Sequence, residues 1–265
     1  MAITISAHSN GFTKLGPLIR RSISVCLRQP ALVTGPLIMS AFFLFIYDGQ
    51  LSSAAAAMVP GGSYVSFLVP LVLLTTAFSG GAISGQLMLR DLDSGYYAAM
   101  ALTPTGRGFL AAAPMAAGLL AITGQAIVLL LLGELLGLSH PHGLAGMAVV
   151  VGLTVVAGGG FLLMTLAAAL VGRSMAAVNA VTYIFFPLSF MTTTFVPREQ
   201  LTGWMAVAAD LNPLTYLLEG MRDPLSPGWE SAALIRGGIA AAAMLLLGIA
   251  AVSFGIRHSS KDIDQ

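Results

Sequence analysis

Charged residues are scarce in this sequence. Only 9% of its 265 residues are Asp, Glu, Lys or Arg, whereas 57% are hydrophobic, and the mean hydropathy is +0.88. This composition excludes an ordinary soluble domain and is typical of a membrane protein. The net charge of +1 provides no general attraction for nucleic acid, so we expect no nucleic-acid partner. The single cysteine, Cys26, cannot form a disulfide within the chain.

Residue types that carry catalysis are scarce as well. Lysine occurs only at positions 14 and 261, and neither follows a glycine-rich turn, which excludes a P-loop ATPase site. No G-x-S-x-G sequence occurs, and the histidines lie outside the long hydrophobic stretches, at His8, His140, His142 and His258. His140-Pro-His142 has no carboxylate or cysteine in its short loop, so we interpret it as a turn. We therefore expect no catalytic residue, bound metal or cofactor on this chain.

Six hydrophobic stretches are long enough to cross a bilayer core, which takes roughly 20 helical residues. They lie at 31–47, 64–89, 109–138, 144–171, 175–196 and 231–256. Because backbone polar groups in lipid must pair internally, each stretch is predicted to be helical. The sequence thus predicts an all-α integral membrane protein, with six transmembrane helices in one domain over 31–256.

Residues 1–30 show the charge pattern of an amphipathic helix. Apolar side chains fall on one half of that helix, at Leu15, Leu18, Ile19, Ile23, Cys26 and Leu27. Basic side chains fall on the other half, at Lys14, Arg21 and Arg28. The pattern predicts a helix in the membrane interface, and a solvated charged arm is the alternative. For the first span a secretory signal peptide is the alternative, because small residues follow it.

The distribution of Lys and Arg predicts the orientation. With a cytoplasmic N-terminus, nine of them lie on the inner side, at Lys14, Arg20, Arg21, Arg28, Arg90, Arg107, Arg173, Arg257 and Lys261. Three lie on the outer side, at Arg198, Arg222 and Arg236. We therefore expect a multi-pass protein of the cytoplasmic (inner) membrane, with the N-terminus and the tail at 257–265 in the cytoplasm.

The segment 197–230 contains two apolar stretches that are each too short to cross a membrane. Four prolines interrupt it, at Pro197, Pro213, Pro224 and Pro227. It is predicted to form a broken, re-entrant extracellular segment before the last span. A cap lying flat on the membrane is the alternative.

Two spans carry polar stripes without charge. In the fifth span the stripe comprises Asn179, Thr182, Tyr183, Ser189 and Thr193, and in the second span Thr75, Thr76, Ser79 and Gln86. Such stripes suit either a path for a hydrophobic or amphipathic substrate or hydrogen bonding between helices. Glu134, near the end of the third span, is the ionisable residue on which a proton-coupled or passive carrier would depend.

Four short motifs accompany these spans: "DSG" at 93–95, "TP" at 103–104, "FVP" at 195–197 and "LNPLTYLLEGMR" at 211–222. In this order they resemble the permease subunit of type-2 ATP-binding-cassette (ABC-2 type) exporters, in particular the daunorubicin-type drug-resistance permeases of actinobacteria. The resemblance implies a separate P-loop ATPase subunit that binds ATP and Mg. It also implies a second permease copy or a homologous permease as a partner, contact with membrane lipids, and a hydrophobic small molecule or lipid as substrate.

The resemblance assigns the polar loop at 90–107 to coupling with the ATPase. A helix from about Ser94 to Leu102 would dock on the ATPase, with Tyr96, Tyr97 and Met100 in a groove and the two Asp residues selecting basic partners. The predicted coupling residues are Asp91, Asp93, Ser94, Gly95, Tyr96, Tyr97, Met100, Thr103 and Pro104. The residues marked in the re-entrant segment are Asn212, Pro213, Tyr216, Glu219 and Arg222. A loop that merely joins two spans is the alternative to coupling.

The sequence thus predicts the permease subunit of an ABC exporter that moves a hydrophobic or amphipathic drug or lipid out of the cytoplasmic membrane. A carrier without an ATPase, dependent on Glu134, is the first alternative. A scaffold subunit of a membrane assembly is the second.

Overall fold

The computed structural model describes residues 11–55, 64–101, 107–194 and 198–261. Within these ranges the chain forms ten α-helices, two short 3-10 turns and no strand. The α-helices are α1 (Gly11–Leu27), α2 (Ala31–Ala55), α3 (Tyr64–Asp93), α4 (Tyr96–Ala101), α5 (Arg107–Leu135), α6 (Gly143–Gly172), α7 (Met175–Phe190), α8 (Gly203–Leu211), α9 (Pro213–Arg222) and α10 (Ser231–Lys261). The 3-10 turns are Arg198–Gln200 and Asp223–Leu225.

Five of the described helices are long and apolar enough to cross a membrane, namely α2, α3, α5, α6 and α10. The remaining predicted span corresponds to α7, which is apolar but has only 16 residues. At 1.5 Å per residue it measures about 24 Å, less than the roughly 30 Å of a bilayer core. The all-α, multi-pass membrane architecture is therefore confirmed, with one membrane helix shorter than predicted.

α7 ends at Phe190 rather than at residue 196, and a side chain from the next helices explains why. The amide nitrogen of Asn212 donates hydrogen bonds to the carbonyl oxygens of Leu188 and Met191, at 2.7 and 2.9 Å. Carbonyl groups at a helix end need such partners when they are shielded from water. Asn212 therefore allows α7 to end within the bundle.

α3 lies at the centre of the bundle. In its most apolar stretch 78% of the residues are buried, and it packs against α2, α5, α6 and α7. Phe78 of α3 contacts Phe161 of α6 and Phe185 of α7, with ring centroids 4.9 and 5.2 Å apart. Aromatic contacts in this range are favourable, so the three rings hold α3, α6 and α7 together.

α6 and α10 pack with their backbones in contact. A Cβ atom at Gly248 would lie 2.3 Å from the carbonyl oxygen of Gly160, and one at Gly160 would lie 2.5 Å from the carbonyl oxygen of Met244. Small residues allow this close approach of membrane helices. The two helices thus form a tight pair on one side of α3.

The predicted N-terminal helix is present as α1 and packs against α5. Leu18, Ser22 and Cys26, spaced by four, form its buried stripe. Leu27, also on the apolar half, is 73% exposed, because the stripe in contact with the bundle is narrower than that half. We call the end of the bundle that carries α1 and α4 the α1 end, and the opposite end, with α8 and α9, the α9 end.

Candidate functional site

The corner between α3 and α4 corresponds to the predicted coupling loop. α3 continues to Asp93, so Asp91 and Asp93 lie on its last turn. Ser94 and Gly95 form the bend, and Gly95 has a φ of 71°, a conformation that favours glycine. The predicted coupling helix is present as α4, with six residues. Thr103 and Pro104 lie outside the described residues.

An ion pair fixes α1 to this corner. Nη1 and Nη2 of Arg21 donate to Oδ2 and Oδ1 of Asp91, at 3.0 and 2.7 Å. This two-point geometry is the strong form of an arginine–carboxylate pair, and hydrogen bonding to Asp91 raises the pKa of the Arg21 guanidinium. The same guanidinium lies over the ring of Tyr96, 3.7 Å from its centroid. Arg21 therefore joins α1 to both α3 and α4.

Two predicted docking side chains point inward, contrary to expectation. Tyr97 is 3% exposed and packs in the cluster that contains Leu18 and Leu110, while Asp91 is held by Arg21. The expectation that both face outward is wrong because α1 covers this side of the corner. The side chains left at the surface are the exposed Asp93 and Ser94, together with the half-buried Tyr96 and Met100.

An open cavity of about 370 Å³ lies between α2, α3 and α7. It brings together parts of both predicted polar stripes, with Thr75 and Ser79 from α3 and Thr182 and Ser189 from α7. The rest of the lining is Gly35, Pro36, Met39, Ser40, Phe43, Phe78 and Phe186. The contribution of α2 was not predicted, because apart from Ser40 its lining residues have no polar side chain. No described lining residue carries a charge.

The hydroxyl groups that line the cavity differ in their hydrogen-bond partners. Oγ1 of Thr75 donates to the carbonyl of Val72 at 2.8 Å, and Oγ of Ser189 donates to the carbonyl of Phe186 at 2.6 Å. Both oxygens keep lone pairs that can accept. Oγ1 of Thr182 is buried and has no hydrogen-bond partner among the described residues. The wall can therefore exchange hydrogen bonds with a molecule but cannot neutralise a charge.

Five predicted path residues lie outside the cavity: Thr76, Gln86, Asn179, Tyr183 and Thr193. Thr76 is buried and donates to Oγ of Ser40, Thr193 accepts from Arg222, and Tyr183 is 69% exposed. Gln86 lines a separate groove at the α1 end, together with Arg90 and Asp93. A polar stripe on a helix can face more than one neighbour, so these five residues do not share the cavity with the other four.

The predicted broken segment is the helix pair α8–α9, joined at Asn212. Oδ1 of Asn212 accepts from the backbone N–H of Leu214 at 3.0 Å, and Pro213 occupies the first position of α9. The hydroxyl of Tyr216 donates to the carbonyl of Asp210 at 2.8 Å. α9 packs closely against α10, since a Cβ at Gly220 would lie 2.8 Å from the Cα of Gly237. The pair is thus fixed to the bundle.

Arg222 connects the end of α9 to two other parts of the chain. Its Nε donates to the carbonyl of Phe67 at 3.0 Å, Nη1 to Oγ1 of Thr193 at 3.1 Å, and Nη2 to the carbonyl of Thr194 at 3.1 Å. Desolvation lowers the pKa of Arg222 to about 9, which leaves the guanidinium charged at neutral pH. Asn212 thus binds the last turn of α7, and Arg222 binds Thr193 and Thr194 just beyond it.

Glu134 lies at the end of α5, beside the predicted turn. One of its carboxylate oxygens is 2.8 Å from Nδ1 of His140, and Nε2 of His142 is 3.2 Å from the carbonyl of Ser226. The turn therefore links α5 to the chain beyond α9. Within the described ranges, no three His, Cys, Asp or Glu residues are grouped as metal ligands would be.

Comparison with known proteins gives a consistent set of relatives. A family model described as "ABC-2 type transporter" matches residues 13–225, which include the α3–α4 corner and the α8–α9 pair. The transport permease ycf38 of Cyanophora paradoxa is 23% identical over 216 residues, covering 77% of this chain and 71% of the relative. The daunorubicin resistance ABC transporter permease protein DrrB1 of Streptomyces coeruleorubidus is 24% identical over 197 residues, covering 72% of this chain and 66% of the relative.

Proposed function

The chain belongs to the ABC-2 type transporter family, and we propose that it is the permease subunit of an exporter for a hydrophobic or amphipathic drug or lipid. It would lie in the cytoplasmic membrane, with both termini in the cytoplasm. A separate P-loop ATPase subunit would bind ATP and Mg and supply the energy. This chain would provide the path and the attachment point.

The uncharged cavity between α2, α3 and α7 is the observation that carries this proposal. Apolar pockets with a few hydrogen-bonding groups are typical binding sites for small organic molecules. Oγ1 of Thr75, which lines the cavity, keeps lone pairs that can accept from a bound molecule. An inorganic ion would require a countercharge, which the described wall does not supply. The substrate class that fits is therefore hydrophobic or amphipathic.

The α3–α4 corner is the proposed attachment point for the ATPase. Its surface carries Asp93, Ser94, Tyr96 and Met100, which offer one charge and two large side chains to a partner. A push on α4 would reach α1 through the contacts of Arg21 with Tyr96 and Asp91. In this proposal, Arg21 transmits the motion of the ATPase to α1.

A second permease copy, or a homologous permease, is the proposed partner on the open side of the cavity. Exposed apolar side chains flank this side, including Met39 and Phe42 of α2 and Ile184 and Phe186 of α7. They would face either lipid or another permease. Two copies would enclose one path between them.

The test is reconstitution of the purified chain in vesicles, with and without a P-loop ATPase that co-purifies with it from native membrane. Efflux of an amphipathic dye should require the ATPase and ATP, and it should be unaffected by Glu134→Gln, which keeps the shape of the side chain. Transport by the chain alone would contradict the proposal. Loss of transport in Glu134→Gln would instead favour a proton-coupled carrier.

A further inference from the structure

A second pocket lies between α1, α2 and α5. It is an open groove of about 300 Å³, and it shares no lining residue with the cavity between α2, α3 and α7. Apolar side chains from all three helices line it, among them Ile23 of α1, Leu37 of α2 and Leu120 of α5. No described lining residue carries a charge, so the groove has the character of a hydrocarbon surface.

The groove has a buried floor and an exposed opening. On the floor, Cys26 of α1 and Ala117 of α5 are 5% and 3% exposed, and they belong to one buried cluster with side chains of α3. At the opening, Leu27 and Leu120 are 73% and 56% exposed. The groove therefore reaches into the bundle, whereas ordinary contact with lipid involves side chains that stand out from a helix.

Water is a poor occupant for this groove. The polar side chains in its described lining are Cys26 and Gln125. Nε2 of Gln125 donates to the carbonyl of Val33 at 2.7 Å, and burial raises the pKa of the Cys26 thiol, which therefore stays uncharged at neutral pH. A buried water molecule needs two to four polar partners, and cavities without them take up apolar molecules instead. The groove thus requires an apolar occupant.

A glycine keeps the groove open. Gly124 of α5 belongs to the lining, and a Cβ atom at this position would meet nothing within 4 Å. The space over Gly124 is therefore free of protein atoms. A larger residue at this position would place its side chain in the groove, without an initial clash against the backbone.

A phospholipid fits this groove better than a protein partner does. The volume equals that of about ten water molecules, which suits one flexible chain, whereas a helix is about 10 Å wide. α2 and α5 are both apolar enough to cross a membrane, so hydrocarbon chains surround them. Arg28, which follows Leu27, is exposed, and a cation on an interfacial helix is favourable near lipid phosphate. The apolar groove and the cation thus match the two parts of one lipid.

We propose that the groove binds one acyl chain of a membrane phospholipid, in contact with Cys26 and Ala117, with the headgroup beside Arg28. The bound chain fills the space between the interfacial helix α1 and the membrane helices α2 and α5. The inference goes beyond the proposed function, because lipid binding here requires neither an ATPase nor a transported substrate.

The test uses the full chain in nanodiscs of phosphatidylcholine, of which a small fraction carries a diazirine group near the end of one acyl chain. Leu246→Cys places a reference thiol on α10, at a position that is 65% exposed. After illumination, mass spectrometry of tryptic peptides assigns the modified residues. We expect Cys26 to be labelled at least as strongly as the reference thiol, although Cys26 is buried. Labelling of the reference thiol and of Leu27, with Cys26 nearly unlabelled, would indicate ordinary lipid contact and overturn the proposal.

Two glycine variants locate the binding. Gly124→Leu should reduce the labelling of Cys26 roughly tenfold, because the new side chain displaces at least two methylene groups of the lipid. Gly152→Leu is the matched control, since a Cβ there also meets nothing within 4 Å and Gly152 lies outside the groove. Thermal unfolding verifies that both variants fold, and the comparison of Cys26 with the reference thiol decides alone if Gly124→Leu does not. Equal labelling of Cys26 in both variants would refute the site.

A transported molecule is the other apolar occupant to distinguish. The amphipathic dye rhodamine 6G, added before illumination, should leave the ratio of labelling between Cys26 and the reference thiol unchanged. A selective loss of labelling at Cys26 would assign the groove to an exported molecule and overturn the proposal of a bound lipid.

Discussion

Arg222 contacts Phe67 twice: its Nε donates to the carbonyl of Phe67 at 3.0 Å, and its guanidinium lies 3.5 Å from the centroid of the same residue's ring. One residue near the start of α3 thus receives both a hydrogen bond and a cation–π contact from α9. The α9 end is therefore fixed to the most buried helix of the bundle.

Replacing Arg222 by Leu should destabilise the protein. The change leaves the carbonyls of Phe67 and Thr194 without their donor, and each such loss costs about 1–3 kcal/mol in a shielded position. Thermal unfolding in detergent should show a clear decrease. Arg236→Leu is the matched control, because Arg236 is exposed and its described hydrogen bond stays within α10. A similar small effect of both variants would contradict the structural role of Arg222.

Replacing Arg21 by Gln should uncouple ATP hydrolysis from transport. The pair with Asp91 is partly exposed, so the loss of stability should stay within about 1 kcal/mol. ATP-driven efflux should nevertheless fall by roughly tenfold, equivalent to about 1.4 kcal/mol of barrier. Arg20→Gln, which removes the neighbouring exposed charge, should transport normally. Partial recovery in the swapped pair Arg21→Asp with Asp91→Arg would confirm the contact, and normal efflux in Arg21→Gln would exclude a coupling role.

Replacing Thr182 by Leu should obstruct the cavity between α2, α3 and α7. The larger side chain fills part of the space and removes the hydroxyl group without a described partner. The rate of efflux should fall by roughly tenfold, which corresponds to a barrier higher by about 1.4 kcal/mol. The unfolding temperature should change little. Tyr183→Leu is the control, because the neighbouring Tyr183 lies outside the cavity and is exposed. If Tyr183→Leu impaired efflux and Thr182→Leu did not, the cavity would not be the path.

Replacing Gly248 by Ala should separate α6 from α10. The added methyl group would lie 2.3 Å from the backbone oxygen of Gly160, and backbone cannot move aside as a flexible side chain can. Overpacking of this kind costs about 1–3 kcal/mol, which unfolding in detergent can measure. Gly152→Ala, where the methyl group meets nothing within 4 Å, should be neutral or slightly stabilising. Equal stability of the two variants would show that the helices can move apart at no cost.

Local signals explain what the sequence predicted well. Hydrophobic length located five of the spans, because it depends only on residues that follow one another in the chain. The length of α7 was overestimated for the opposite reason. Its end depends on Asn212, which comes more than 20 residues later in the chain.

Contacts between distant segments explain what the sequence could not reveal. Tyr97 was expected at a partner surface, but it meets Leu18, almost 80 residues away, and only the docking of α1 determines this. Thr182 and Tyr183 shared one predicted stripe, yet one lines the cavity and the other is exposed. Helical periodicity orders side chains around an axis, but it does not identify the neighbour that each one faces.

A single amide side chain, that of Asn212, closes the end of α7 and the start of α9 together. Moving α7 away from α9 would break the bonds of Asn212 to Leu188 and Met191 in the same step, whereas its bond with Leu214 would move with α9. Separation at this place is therefore unfavourable, because it would take one shared amide donor away from two main-chain oxygens at once.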